Sequence, residues 1–505
     1  IERGKAVGMP DNEMAFARIA LALSSDDTAG AAAMAKSLDP GAATGQEAAW
    51  TELTVGWVLE RAGDPRAVER YSHAAALDPD LVPARLYLAK LAAITGDIDR
   101  VNSLTKDVAS DLVPTRDDLV ALATLIKGGE GAPPKPGVES ARRPNGFGWI
   151  VPALVVADTT APADKRKSEA ERAVQSADSP ADLTRIGRLA AQAGDEAQAS
   201  RAALRALEIS PIFTPARALA ARLALLVGRP DDAARALEGA PPDPEINALR
   251  AWLAYERGDL VAVAAAFDDP QIVDKTQLDR KDLESIVRPL RYALKMAQRP
   301  TGALKPAEAK ELDEIGALGE LGPLVAFDVA LDAGDIKGSG QIATSWSADP
   351  ASIEARPARA LRLARLARLQ GKGEDADRLS KIAVEQATVV PRALVERVLV
   401  LCALGKGAEA LALLNRFQLL ATDERPWLLA YATAQAGKTA DAKKMVAELK
   451  EPDRKTATWF VRRDALLALA AADDDKRAKP MAKDMLRERP GDPDVQAVAK
   501  SLGVK

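Results

Sequence analysis

The chain is 505 residues long, 47% apolar and 28% charged, with a formal net charge of −4, a balance that describes a folded protein too large for one hydrophobic core. Its 69 basic and 73 acidic residues nearly cancel, so no overall field favours nucleic acid or an anionic membrane. One cysteine and one histidine exclude an internal disulfide framework, a multi-cysteine metal site and a Cys/His catalytic pair.

In chain order, residues 1–127 read as an N-terminal helical array: a helix pair at 12–38, a hairpin turning at Gly63 and ending at Asp78-Pro79, another turning at Gly96, and a helix from Thr115 to Lys127. The segment 128–148, with Gly128-Gly129, Pro133-Pro134 and Arg142-Arg143-Pro144-Asn145-Gly146, cannot hold a helix and reads as a Pro/Gly-rich linker or surface loop. A central array follows over 149–276. Over 277–322 the repeat signature fades, although Leu283 to Gln298 reads as a helix containing Pro289. A C-terminal array over 323–505 turns at Gly334, Gly371, Gly405 and Gly437 and closes with a polar-faced capping helix from Asp494 to Leu502. The whole predicts about ten to twelve helix pairs.

The repeat is carried by turn chemistry. Gly194, Gly228, Gly371, Gly405 and Gly437 are each followed five residues later by alanine, and Gly63, one residue shorter, by Ala67. Adjacent turn glycines recur at spacings of 33 (Gly63 to Gly96), 34 (Gly194 to Gly228), 30 (to Gly258), 34 (Gly371 to Gly405) and 32 (to Gly437), the period of stacked helix pairs. Seven residues before the glycines stand Gly56, Ala89, Gly187, Ala221, Ala251, Ala364, Val398 and Ala430; all but Val398 are Gly or Ala, small enough for a second helix to approach closely. Pro79 and Pro211 stop second helices.

On these residues the chain resembles the tetratricopeptide repeat (TPR) family and reads as a bacterial member of it. The segment Pro180 to Pro211 fits best, with Leu183, Ile186, Gly187, Gly194, Ala199, Ala206 and Pro211 in the family's pattern positions. The first-helix Trp of that pattern is missing from most copies, and Phe327 replaces the small residue in the copy around Gly334, which predicts different packing there. The resemblance implies an all-α, right-handed superhelical α-solenoid of stacked antiparallel helix pairs, whose first helices line a concave, partner-binding face.

The sequence shows no catalytic constellation. His73, between Tyr71 and Ala74, reads as a surface or groove residue, and Cys402 as a buried apolar one. Asp26-Asp27 and Asp473-Asp474-Asp475 read as helix-starting acids, because no calcium-loop spacing follows them. Gly405-Lys406 and Gly437-Lys438 lack the strand and Gly-rich loop of a phosphate cradle. The expectation is that the chain is not an enzyme and has neither cofactor nor metal.

The resemblance instead directs attention to residues six and three before the turn glycines. It points Trp57, Lys90, Arg188, Arg222, Trp252, Tyr255, Asp328, Arg365, Arg368, Leu399 and Tyr431 into the groove, with Trp427 as a further apolar anchor. Guanidinium groups in a row hold carboxylates by paired, charge-assisted bonds, so the expected partner is a protein bearing an acidic or C-terminal segment; no nucleic acid is expected. In the run Arg356 to Arg368 the arginines recur every third residue and drift around the helix; a solvated repeat helix and a membrane-surface helix both fit that drift. The function expected is a non-catalytic protein-interaction scaffold. Its alternatives are a structural component of a bacterial envelope machine (secretion, motility or outer-membrane assembly) and a regulatory or substrate-loading arm of an enzyme encoded upstream of Ile1. No run is long and apolar enough to span a membrane. Scarce cysteine permits an oxidising compartment, and the expectation leans to a periplasmic or envelope-associated location over a cytoplasmic one; the oligomeric state is left open.

Overall fold

The structure, a computed structural model, describes residues 11–24, 27–36, 38, 45–128, 143–158, 160–269, 278, 283–297, 304–347, 356–385, 391–417, 424–453, 457 and 459–504. Among them the regular elements are helices, with no strand. The chain divides into two compact units, Ile1–Leu223 and Ala224–Lys505. The first array and the best-matched copy of the central array thus share unit 1, and later copies join the C-terminal array in unit 2.

Within each unit, helix pairs stack neighbour on neighbour, and the turns explain why. Gly63, Gly96, Gly194, Gly228, Gly258, Gly334, Gly371, Gly405 and Gly437 all have φ between 72° and 82°, the left-handed conformation that closes a helix and that glycine adopts without a Cβ clash. Asp97, Asp195 and Asp259 each follow such a glycine, and their carboxylates accept the backbone N–H of Arg100, Gln198 and Ala262 to start the next helix. One Gly-Asp step therefore ends one helix and begins its partner. Asp27 and Asp474 act in the same way on Gly30 and Arg477, while Asp26 lies outside the described residues.

The small positions are sites of close approach. A Cβ on Gly187 would stand 2.7 Å from Leu219 Cδ2 and 3.3 Å from Ala202 Cβ, and one on Gly56 would stand 2.7 Å from Tyr71 Cδ1. The bulky exception, Phe327, is fully buried, its ring 5.2 Å from that of Trp346. In that copy the second helix carries Gly338, Ser339 and Gly340, so bulk gained on the first helix is matched by bulk lost on the second.

Parts of the two irregular stretches have defined structure. Residues 129–142 lie outside the described set, but Arg143–Gly148 is an ordered contact in unit 1. Arg143 Nε donates to Asp118 Oδ2 at 2.9 Å, Tyr87 Oη donates to the Asn145 carbonyl at 3.1 Å, and Phe147 is buried. The degenerate stretch supplies helices Glu284–Ala297, with Pro289 buried inside it, and Pro306–Gly316.

One turn departs from the rule. After helix Trp459–Ala471, Asp473 occupies the left-handed position with φ 51°. Asp473→Gly is expected to stabilise unit 2 by roughly 0.5–1 kcal/mol, read as a raised urea midpoint of its unfolding transition at unchanged slope.

Candidate functional site

The first helices that were expected to offer a polar stripe to a partner turn much of that stripe on themselves. In unit 1, Lys90 on helix Val82–Thr95 is 1% exposed and reaches Glu60 Oε1 at 2.5 Å and Asp182 Oδ2 at 3.2 Å. Glu60 also accepts from Tyr71 Oη at 2.6 Å. Three first helices, Gln46–Arg61, Val82–Thr95 and Pro180–Gln192, are pinned at one point. Burial pushes the Asp182 carboxyl up to about 7, against the pull of Lys90 and with the help of Glu60. Burial opposes the Lys90 charge, yet Asp182 and Glu60 outweigh it and raise its pKa. One ammonium balances one carboxylate, and the second carboxyl is pressed towards its neutral form.

In unit 2 the drifting arginines of helix Pro357–Leu369 each find a carboxylate, on several different elements. Arg356 and Arg359 reach Glu320 at 2.7 and 3.0 Å, Arg362 reaches Asp328 at 2.7 Å and Glu256 at 3.3 Å, and Arg365 reaches Asp332 at 3.0 Å. Arg368 clasps Glu396 and Asp494, both at 2.6 Å. A single-faced arginine row would serve one neighbour; the three-residue spacing serves several. Asp328 also accepts from Tyr255 Oη at 2.8 Å. Burial opposes the Asp494 charge, but Arg368 prevails and holds this carboxyl below the usual range.

The same helices leave a cavity of about 610 Å³. Its apolar wall includes Met296, Val329, Val395, Trp459 and Phe460, and Val261, 82% exposed, lies at its edge. Three guanidinium groups face it with incomplete partnering. Arg365 is 8% exposed and its Nε has no hydrogen-bond partner. Arg392 stacks 5.4 Å above Phe460 and donates at 3.3 Å to the Tyr255 carbonyl, with no carboxylate partner among the described residues. Arg489 stacks 4.5 Å above Trp459 and sees Asp332 only at 3.9 Å.

Of the residues expected in the groove, Lys90, Trp252, Tyr255, Arg365 and Trp427 are buried, and Trp57, Arg188, Arg222, Arg368 and Tyr431 are half-buried. None is exposed, which differs from an open stripe, because carboxylates of the chain itself take up much of the positive charge. Tyr255 and Arg365 among them line the cavity, as does Asp328 of the same stripe. Arg392, Arg463, Arg489, Trp459 and Phe460 complete it, and the groove rule passed over all of them. The readable signal was Trp459-Phe460-Val461-Arg462-Arg463, two aromatics and two arginines opening a first helix in a chain poor in aromatics. His73 is exposed, and burial pushes the Cys402 thiol up to about 12.

No family model matches this chain, and no curated protein matches it. Among solved structures it is similar to yeast Tom70, at 15% identity over 98% of this chain and 100% of that one, with a TM-score of 0.29. It is also similar to the TPR domain of P58(IPK), at 14% identity over 85% and 99% of the two chains with a TM-score of 0.24. A third likeness is to the pentatricopeptide repeat protein PPR10 from maize, at 11% identity over 98% and 76% with a TM-score of 0.23. Overlaps this low establish neither a family nor a shared partner.

The ion pairs make two predictions. Arg362→Met strands Asp328 and Glu256 in a buried setting and is expected to cost unit 2 about 3–5 kcal/mol, measured by urea unfolding. For Asp182, the folded chain keeps a proton between its ordinary value of 3.8 and about 7 that the unfolded chain has released. Its contribution to stability therefore falls as pH rises through that window. Hydrogen-exchange protection of helix Pro180–Gln192, corrected for intrinsic rates, is expected to drop between about pH 5.5 and about pH 8, and Asp182→Asn is expected to remove the drop.

Proposed function

We propose that the chain is a non-catalytic interaction scaffold that captures an acidic or C-terminal protein segment on the first helices of unit 1. The observation that carries this reading is the placement of Arg188 and Arg222. They stand at the same repeat position of consecutive first helices, Pro180–Gln192 and Thr214–Leu226, and both are half-buried. Each is also held by a contact within the chain, so little side-chain freedom is lost when a carboxylate arrives. Trp57, half-buried with Arg61 stacked 5.1 Å above its ring, adds an apolar anchor in the same unit. A buried thiol pushed up to about 12 and an exposed lone histidine support a binding role over a chemical one. The scarcity of cysteine favours an envelope-associated setting for such a scaffold.

The test is affinity capture by the full chain in a native extract, with bound proteins identified by mass spectrometry. The double variant Arg188→Glu/Arg222→Glu is expected to weaken capture of the specific partner at least about tenfold with the helical circular dichroism retained. Capture unchanged by the double reversal removes the reading.

A further inference from the structure

The unit 2 cavity has the size and chemistry of a small-molecule site. Its volume of about 610 Å³ falls within the range of roughly 300–1,000 Å³ in which proteins enclose small ligands. Six arginines line it, Arg257, Arg362, Arg365, Arg392, Arg463 and Arg489, against five acids, Asp259, Asp328, Asp332, Glu396 and Glu424, a formal surplus of one positive charge. Pairing with groups outside the cavity takes up Glu396, through Arg368, and also Arg463 and Arg257, through Asp464 and Asp231, so the formal charge of the wall is close to balanced and the selectivity lies in which donors stay open.

The unmet hydrogen-bonding capacity belongs to donors. A guanidinium has five N–H groups and no acceptor. Arg392 spends one of them, on a backbone carbonyl at 3.3 Å. Arg365 leaves Nε unpartnered although the residue is more than nine-tenths buried. A guanidinium whose donors are not all spent offers the open ones to an acceptor that enters the cavity. Around these donors the wall is apolar: Met296, Val329, Val395 and the Trp459–Phe460 pair, on whose rings Arg489 and Arg392 lie and are held in place. A cation or a neutral apolar guest offers these donors no acceptor, and a small inorganic anion leaves the apolar wall uncovered.

We propose that this cavity binds a small amphipathic carboxylate, its anionic head held by Arg365 and Arg392 and its apolar body lying along Trp459, Phe460 and Met296. The site is independent of the partner surface proposed for unit 1. It makes the chain a receptor for an organic acid as well as a scaffold.

The test uses the full chain and titration calorimetry with decanoate, decanol, decyltrimethylammonium and an acetylated tripeptide ending in a free leucine carboxylate. Saturable one-to-one binding of decanoate is expected, at least about tenfold tighter than decanol or the ammonium. Arg392→Gln breaks no ion pair of the fold and is expected to weaken decanoate at least about tenfold. Val329→Trp fills the cavity and is expected to abolish binding, with thermal melting confirming that both variants are folded. The proposal is overturned if decanol binds as tightly as decanoate, or if decanoate affinity survives both variants. Tighter binding by the tripeptide also overturns it, since the guest would then be a chain terminus. Because Arg188 and Arg222 are untouched, these outcomes are separable from failure of the partner reading.

Discussion

The structure depends on charge buried on first helices and neutralised by carboxylates of other helices in the same unit. Alanine-rich helices touch over small areas and bury little apolar surface per residue, so stacking them by the hydrophobic effect alone gives weak and poorly registered neighbours. Lys90 joining Glu60 to Asp182, and Arg368 joining Glu396 to Asp494, add contacts with only one good geometry. Such pairs contribute modestly to net stability, since desolvation offsets most of the attraction, but a helix that slips leaves an uncompensated charge at a cost of several kcal/mol. We read their role as fixing register. The penalty for misalignment, more than the reward for alignment, selects one stacking among many that alanine would tolerate.

Helix Pro357–Leu369 shows how a local sequence pattern is converted into a three-dimensional one. Arginine at every third position advances about 300° per step on an α-helix, so the guanidinium groups of Arg359, Arg362, Arg365 and Arg368 leave the axis in different directions. Each direction meets a carboxylate of unit 2: Glu320, Asp328, Asp332, and the Glu396–Asp494 pair. The helix is a hub. The cavity lies beside it because Arg365 faces inward with one side of its fork paired to Asp332 and its Nε left over, and because Arg392 and Arg489 rest on aromatic rings instead of carboxylates.

Much of the fold was legible because its determinants are local. A left-handed glycine, a capping aspartate and a small residue seven positions earlier act within one helix pair, and each writes itself into a window of about 34 residues. The compact units, divided at Leu223/Ala224, were not legible, because that division reflects contacts between helices far apart in sequence. The candidate site was legible only in kind. Arginines and aromatics were recognised as important, but the more distant partners of Lys90 and Arg368 lie 92 and 126 residues away, and no rule of repeat spacing predicts which carboxylate that far off closes on which cation. An inward-pointing charge reads the same in sequence whether its partner is another protein or the same chain.

That ambiguity bears on how a binding surface arises in a stack of this kind. If every first-helix cation were paired internally, the inner faces would be electrically quiet and a charged guest would find no net attraction. If none were, the stack would lack the contacts that fix its register. Partial pairing satisfies both demands. Lys90, Arg362 and Arg368 are committed to the fold, and Arg392 carries its charge against Phe460 with no carboxylate at ion-pair distance among the described residues. The ring holds that charge in place without neutralising it, because a quadrupole attracts a cation while leaving its N–H donors open. An aromatic neighbour thus does for a binding arginine what a carboxylate does for a structural one: it fixes the side chain, and it leaves the charge for a guest.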